Sequence, residues 1–100
     1  MLNNHEKKYF RQIGHTLQPV VTLGDKGLTD TVLAEIERAL EDHELIKVRI
    51  NADSREQKAA FTETICSTTG AEIVQAIGHV VLLYRAAQQP DPKLSNLLKK

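Results

Sequence analysis

The chain has few of the residues that build redox or disulfide sites. Its 100 residues include one cysteine and no tryptophan, with two phenylalanines and two tyrosines. A single cysteine, Cys66, excludes an internal disulfide framework. No basic residue or histidine lies close to Cys66 in the sequence to favour its thiolate form, so we interpret it as a small, buried apolar side chain rather than a nucleophile.

The chain also lacks an excess of charge of either sign and a long apolar run. Thirteen basic residues balance thirteen acidic ones, so only the distribution of charge can argue for or against a nucleic-acid partner. No apolar run approaches the roughly twenty residues of a membrane span, and the first residues have no apolar core of the signal-peptide type. We therefore expect a cytoplasmic protein with no membrane partner.

Metal-ligand and nucleophile spacings are missing as well. The four histidines are scattered along the chain at positions 5, 15, 43 and 79, and no zinc or Walker spacing occurs. Paired acid and base residues of the kind that catalyse proton transfer are not evident either. We expect no metal, no cofactor and no enzymatic activity, and a monomer.

The hydrophobic pattern predicts one α/β domain over residues 1–86, followed by a flexible C-terminal tail over 87–100, where Pro90 and Pro92 interrupt regular structure. The order is helix, strand, helix, strand, helix, strand, strand, with a mixed four-stranded sheet. A two-residue link, Gly78-His79, predicts an antiparallel hairpin, and the apolar strand after it is expected in the interior of the sheet. Helices are predicted over about 4–14 with Asn3 or Asn4 as the cap, over 29–43 with Thr29 at the start, and from a capping box of Ser54 and Gln57 to 69. Strands are predicted over 19–23, 45–50, 72–77 and 80–85.

A G-x-x-G turn, Gly24-Asp25-Lys26-Gly27, lies between the first strand and the second helix. The amino end of a helix exposes unpaired N–H groups and favours anions. Glycines can adopt positive φ and leave no Cβ between the backbone and a ligand. The turn therefore suggests a clamp for a nucleic-acid backbone, of the kind found in KH modules. The alternative is that the glycines serve the geometry of the turn alone.

Two further groups of basic residues have two interpretations each. Lys47 and Arg49 share one face of the second strand, either as an RNA contact or as charges that protect an edge strand from aggregation. Lys8 and Arg11 share a face of the first helix with His15, either as part of a basic footprint or as a solvated face. The second helix carries an acidic side, including Glu35 and Glu37, which we interpret as solvated and as turned away from any RNA.

Four motifs in this order resemble the YhbY family, the single-domain bacterial proteins of the chloroplast RNA splicing and ribosome maturation (CRM) class. The motifs, quoted from this sequence, are Pro19-Val20-Val21 with Leu23-Gly24-x-x-Gly27-Leu28-Thr29, then 43–50, then Thr69-Gly70-Ala71, then Ile77-Gly78 with Leu82-Leu83-Tyr84-Arg85. The resemblance covers about residues 3–86.

The resemblance implies an RNA-binding domain with a fold similar to the C-terminal domain of bacterial translation initiation factor 3. It also implies association with precursors of the large ribosomal subunit, with ribosomal RNA as partner and ribosomal proteins as further partners. The family's loop falls on Gly24, Asp25, Lys26 and Gly27, and its closing pair on Tyr84 and Arg85. Asp25 is a departure, because a carboxylate there opposes phosphate, and His79 stands where lysine is frequent.

The hypothesis from the sequence is therefore binding without catalysis. Aromatic residues are too few for stacking on an RRM-type sheet, so recognition is expected to depend on backbone and RNA shape. The residues predicted to contact RNA are Gly24, Asp25, Lys26, Gly27, Lys47, Arg49, Lys8, Arg11 and Arg85. The alternative is a protein-interaction module on the ribosome in which the G-x-x-G turn is only structural.

Overall fold

A computed structural model describes residues 2–24 and 26–97. Its elements follow the predicted order of three helices and four strands. No helix within these residues is long and apolar enough to cross a membrane. The elements are α1 (Asn4–Gly14), β1 (Pro19–Leu23), α2 (Asp30–His43), β2 (Leu45–Ile50), α3 (Arg55–Thr69), β3 (Glu72–Ile77) and β4 (Val80–Tyr84).

The helices begin at side chains that cap free N–H groups. At α1, Asn3 Oδ1 accepts from the N–H of Glu6 at 2.8 Å and Glu6 Oε1 accepts from the N–H of Asn3 at 3.2 Å, which completes a capping box. Thr29 caps α2 by accepting from the N–H of Val32 at 3.2 Å. Both caps lie where the sequence places them, because capping depends on residues only three positions apart.

The cap of α3 differs in one detail from the prediction. Ser54 Oγ accepts from the N–H of Gln57 at 3.1 Å, as expected. The Gln57 side chain, however, accepts from the N–H of Asp53 at 2.6 Å rather than from that of Ser54, so the reciprocal half of the capping box is shifted by one residue. Gly70 ends the helix with a left-handed φ of 78°.

The sheet has the strand order β1-β2-β4-β3. β1 and β2 are parallel, and β4 runs antiparallel to both of its neighbours. The interior position of β4 is confirmed. β2 is also interior, so the interpretation of Lys47 and Arg49 as charges on an edge strand is wrong.

Helices cover both faces of the sheet. On one face α2 and α3 pack on β2 through a core that includes Ile36, Leu40 and Ile65. On the other face α1 packs through Phe10 on Leu45 and its neighbours. The larger core contains Val21, Leu23, Ile36, Leu40, Ile46, Val48, Ile50, Ile65, Ala71, Val81 and Leu83, and the smaller one Phe10, Leu45, Val74 and Leu82.

A register shift in β3 decides which side chains reach each face. The pairing with β4 shifts between Ile73 and Gln75, as at a β-bulge, where two residues oppose one. Val74 joins the core under α1, whereas Ile73 and Ala76 line a groove beside α3. Ile77 therefore points towards the α1 side of the sheet, where it is 66% exposed.

Residues 87–97 of the segment that we predicted as a flexible tail make specific contacts with the domain, and residues 98–100 lie outside the described residues. Glu44 holds it with both carboxylate oxygens, accepting from the N–H of Ala87 at 2.9 Å and from Ser95 Oγ at 2.7 Å. Ser95 is fully buried, and Asn96 Nδ2 donates to the Leu45 carbonyl at 2.7 Å. The prolines prevent helix and strand formation here, but they do not prevent hydrogen bonding to side chains at the end of α2.

Candidate nucleic-acid interface

Gly27 closes the G-x-x-G turn and is required by the fold. Its N–H donates to the Gly24 carbonyl at 2.9 Å. Its φ is 69°, in the left-handed region that L side chains rarely adopt, and a Cβ added there would lie 3.1 Å from Phe61 Cζ. Both the backbone conformation and the ring behind it therefore demand glycine at this position.

Gly24 has neither the positive φ nor the steric constraint that applies to Gly27. Its φ lies outside the left-handed region, and a Cβ added there would have no atom within 4 Å. The fold therefore does not need glycine at position 24. Its exposed backbone is open to close approach from outside, as a ligand contact requires, and Lys26 is exposed beside it. The predicted contact Asp25 lies outside the described residues.

The amino end of α2 follows the turn directly. Thr29 Oγ1 accepts a hydrogen bond from the N–H of Val32. The partial positive charge of the helix terminus faces the same region as the turn. Asp30 stands exposed in the first turn of α2. Its carboxylate favours the helix but opposes an incoming phosphate, so the turn is a weaker anion site than its backbone alone would provide.

The cations of β2 lie on the sheet face that α1 partly covers. Lys47 and Arg49 alternate with the buried Val48, as predicted. Arg49 pairs in register with Thr22 of β1, which is two residues before Gly24. This pairing brings the Arg49 side of the sheet to the edge where the G-x-x-G turn lies.

A cavity of about 420 Å³, which we call the sheet groove, lies on this face beside the end of α1. Lys47, Arg49 and His15 provide its charged and titratable groups, while the exposed Ile77 provides an apolar surface. Its lining residues are His15, Leu17, Gln18, Pro19, Lys47, Arg49, Gln75, Ile77, Val80 and Leu82. The groove thus combines cations with apolar contact area.

Lys8 and Arg11 lie on the same stripe of α1 as His15. They precede it by seven and four residues, and residues at these spacings share one side of a helix. Because His15 lines the sheet groove, the stripe runs along the groove side of α1. Lys8 is exposed and Arg11 is half-buried.

The structure adds cations that we did not predict. Arg55 and Lys58 lie in the first turns of α3 and line a small cavity together with His79. Lys58 Nζ donates to the Gly78 carbonyl, and the His79 carbonyl accepts from the N–H of Ile50 at 2.6 Å, which ties the β3–β4 turn to the ends of the neighbouring elements. Cations in the first turn of a helix oppose the helix dipole. Two cations just after the Ser54 cap are unfavourable for the helix, and this placement could have indicated in the sequence that Arg55 and Lys58 have another role.

We call this edge the carboxyl rim, because β1, β2 and β3 all end there. It comprises the turn residues Gly24, Lys26 and Gly27, the segment 52–55, Lys58, Gly78 and His79. The basic surface is the carboxyl rim, the sheet groove, and Lys8 and Arg11 of α1. It contains every predicted contact that the structure describes except Arg85.

Arg85 lies at the opposite edge of the sheet, where its guanidinium group is already bound to other residues of the domain. Its Nη1 donates to Glu37 Oε2 at 2.6 Å and to the Thr69 carbonyl at 3.1 Å, and its Nη2 lies 3.5 Å from Glu41 Oε1. The Arg85 side chain is only 20% exposed. Arg85 thus joins α2 to the end of α3, and Glu37 is an ion-pair partner rather than the merely solvated residue that the helical pattern suggested.

The chain is neutral overall, and its charges are partly separated. Asp53 lines the small cavity at the carboxyl rim beside Arg55 and Lys58. Asp30 lies after the turn, whereas the other acids of α2 lie apart from the basic surface. Beyond the first turn of α2, its exposed and half-buried acids are Glu35, Glu37, Glu41 and Asp42. They lie on the helix layer that covers the face opposite the sheet groove. Within residues 2–24 and 26–97, no group of three histidine, cysteine, aspartate or glutamate side chains is arranged to hold a metal ion.

Comparison with known proteins shows the family of the chain. The family model described as "CRS1 / YhbY (CRM) domain" matches residues 2–85. The chain belongs to the CRS1/YhbY family. This CRM domain is 44% identical to the "Probable RNA-binding protein PA4753" of Pseudomonas aeruginosa, and the match covers 96% of this chain and 92% of that protein.

Two further relatives extend the comparison. An "RNA-binding protein" of Haemophilus influenzae is 46% identical to this CRM domain over 93% of this chain and 94% of its own length. The solution structure of SAV1595 from Staphylococcus aureus matches with a TM-score of 0.77 at 31% identity, covering 89% of this chain and 93% of that one. The predicted fold class, a mixed four-stranded α/β domain, is confirmed.

Proposed function

We propose that this CRM domain binds RNA, and that the basic surface carries the contact. The observation that supports this most directly is the grouping of cations at one groove and one edge of a neutral chain. Lys47 and Arg49 of β2 line the sheet groove. Arg55 and Lys58 of α3 line the small cavity at the carboxyl rim, which also contains Asp53. The acids of α2 beyond its first turn lie on the opposite helix layer. The names of the relatives as RNA-binding proteins support the same class of ligand.

The contact we propose is mainly to phosphates. The exposed backbone at Gly24 lets a phosphate approach the turn and the amino end of α2, and Lys26 and Arg49 flank it. Lys47, Lys8 and Arg11 continue the cationic path across the sheet groove. If about four to six phosphates are engaged, the plot of log affinity against log salt has a slope of roughly −3 to −5.

The RNA that we propose as the natural partner is ribosomal RNA in a precursor of the large subunit, with a role in assembly of that subunit. This finer proposal rests on the resemblance to the YhbY family. Structured ribosomal RNA fragments are therefore the probes for the first experiment.

The test is binding at several salt concentrations for three proteins: the wild type, a Lys26→Glu/Arg49→Glu variant, and an Arg38→Glu control. All three residues are exposed, and Arg38 lies on the acidic side of α2, where its Nε is 3.8 Å from Asp42 Oδ2. We expect the double variant to bind at least about tenfold more weakly with a shallower salt slope, because it loses two phosphate contacts. Thermal melts establish that each variant is folded.

The control is expected to bind like the wild type. If the control and the double variant lose RNA affinity equally, the affinity depends on total charge and not on the basic surface. A salt slope near zero for the wild type would contradict the proposal. If the folded double variant still joins ribosomal particles while RNA binding is lost, ribosomal proteins are the partner, as in the alternative from the sequence.

A further inference from the structure

A second groove lies between α3 and the edge strand β3, apart from the sheet groove. Its walls are largely apolar: Ala59 and Cys66 come from α3, and Ile73 and Ala76 come from β3. The exposed acid Glu63 of α3 also lines the groove. Ile73 is 42% exposed. The cavity measures about 630 Å³, within the range of about 300–1,000 Å³ typical of small-molecule sites.

The bulge in β3 creates this groove. In a regular strand, Ile73 and Ala76 would point to opposite faces of the sheet, because side chains alternate. The register shift between Ile73 and Gln75 puts both side chains on the α3 side. Their shared orientation provides one continuous apolar wall.

The groove opens onto the carboxyl rim. Arg55 and Lys58 line both the apolar groove and the small cavity that includes His79. A polyanion bound along the rim therefore passes the mouth of the groove. Cations at the mouth and apolar walls inside match the chemistry of a nucleotide, whose phosphate is charged and whose base has apolar faces.

We propose that the α3–β3 groove takes an unpaired base of a single-stranded RNA segment whose phosphates lie on the carboxyl rim. The base packs against Ala59, Ile73 and Ala76 and covers the Cys66 thiol, without an aromatic stacking partner. This inference rests on the proposed function and adds the substrate class: RNA with unpaired nucleotides beside the backbone contact. A base held in a duplex cannot enter the groove, because its faces are stacked on its neighbours.

Cys66 provides a direct probe of occupancy. It is the chain's one cysteine, it is half-buried, and it lines the groove. Burial raises the pKa of its thiol, so labelling is measured at about pH 8.5 to give enough thiolate for reaction. The experiment follows the rate of reaction with a thiol reagent in the full chain, alone and saturated with RNA.

Two RNAs are compared at equal occupancy: a single-stranded decamer and a blunt duplex of the same sequence. We expect the single strand to slow labelling by about tenfold or more, since a base in the groove covers the thiol. The duplex, bound through phosphates, is expected to leave the rate unchanged within about twofold.

A variant tests the groove without using the thiol. Ala59→Gln extends a longer side chain from the exposed wall of α3, and glutamine is a good helix former. We expect single-strand affinity to fall by about fivefold or more and duplex affinity to stay the same. A matched Ala34→Gln substitution, on the exposed side of α2 away from this groove, is expected to change neither affinity.

The outcomes separate this inference from the proposed function. If the single strand binds but does not slow labelling, or if both RNAs slow it equally, the groove does not hold a base, and RNA binding by the basic surface still stands. If the duplex binds and the single strand does not, the groove likewise does not hold a base, and the proposed function still stands. If neither RNA binds, the proposed function fails and the inference fails with it.

Discussion

Two glycines of one short motif have different roles in this CRM domain. Gly27 has positive φ and lies against Phe61, whereas Gly24 has neither constraint. A motif written as G-x-x-G conceals this difference, because the sequence shows only that both positions lack a side chain. The structure shows that the turn needs glycine at Gly27 but not at Gly24, which stays a proposed contact for a ligand.

The paired substitutions Gly24→Ala and Gly27→Ala test this division. We expect Gly27→Ala to lower the free energy of unfolding by about 1–3 kcal/mol, from positive φ and crowding against the ring, and to lower Tm by roughly 4–8 °C for each kcal/mol. Gly24→Ala is expected to leave Tm unchanged and to weaken RNA binding by about fivefold, because its Cβ obstructs the phosphate approach. Thermal melts and RNA titrations of both variants provide the measurement.

The reverse result would be informative. A Gly24→Ala protein that is folded and binds RNA like the wild type would show that the turn is purely structural. Retention of wild-type stability in Gly27→Ala would contradict the requirement for glycine beside Phe61.

At the scale of elements, the carboxyl end of α2 organises the edge opposite the carboxyl rim. Arg85 joins α2 to α3. Acidic residues at the carboxyl end of α2 bind the segment after β4. Glu41 accepts from the N–H groups of Gln88 and Gln89, both at 3.1 Å. Glu44, with an unusual φ of 65°, turns its carboxylate towards Ala87 and Ser95. The acidic side of α2 therefore has a structural use that charge patterning did not reveal.

The pKa of Glu41 predicts how this attachment responds to pH. Hydrogen bonds from the backbone of Gln88 and Gln89, followed by the charge of Arg85, hold the pKa of Glu41 below its usual value. A carboxyl group with a lowered pKa in the folded state stabilises it above its ordinary pKa, and the stabilisation is lost as pH falls through the folded-state pKa. We expect the wild type to exceed Glu41→Gln in Tm at pH 7 and the difference to shrink from about pH 5 to pH 3.

The measurement is a series of thermal melts of the two proteins across that range. Glu35→Gln, on the same helix but without these hydrogen bonds, serves as the control for loss of one acidic charge. A constant difference between wild type and Glu41→Gln at all pH values would show that the carboxylate charge does not hold the segment.

At the scale of the whole molecule, the location of charge matters more than its sum. The domain measures 37 × 27 × 23 Å, while the screening length at physiological salt is about 8 Å. Charges at opposite ends of the domain therefore act on a ligand almost independently. We therefore expect a neutral chain to bind a polyanion where several cations lie together, at the sheet groove and the carboxyl rim.

Two aspartates at the ends of one helix test this point. Asp30→Asn and Asp42→Asn each raise the net charge by one, but the residues lie about 18 Å apart along α2. We expect Asp30→Asn to tighten RNA binding by about two- to fivefold, since its carboxylate opposes phosphates at the turn. Asp42→Asn is expected to leave affinity unchanged in the same titration.

Equal tightening by both variants would indicate that net charge governs binding. Weaker binding by Asp30→Asn, in a protein of unchanged Tm, would mean that the Asp30 carboxylate contacts the RNA favourably and that the turn does not hold a phosphate.

The sequence by itself determined the order of the elements, their limits to within one residue, the caps at Thr29 and Ser54, and the family, and it narrowed the first cap to Asn3 or Asn4. It also predicted which face of β2 carries Lys47 and Arg49. Cap chemistry and side-chain periodicity are short-range properties that depend on residues a few positions apart, so they can be read along the chain.

Only the tertiary structure decided which charges lie together. Arg85 is paired with Glu37, Arg55 joins the carboxyl rim, and Glu44 holds Ser95, a residue 51 positions away. The bulge that opens the α3–β3 groove depends on pairing between β3 and β4. Each of these features arises from contacts between distant parts of the chain, and local patterns carry no record of which distant partner a side chain meets.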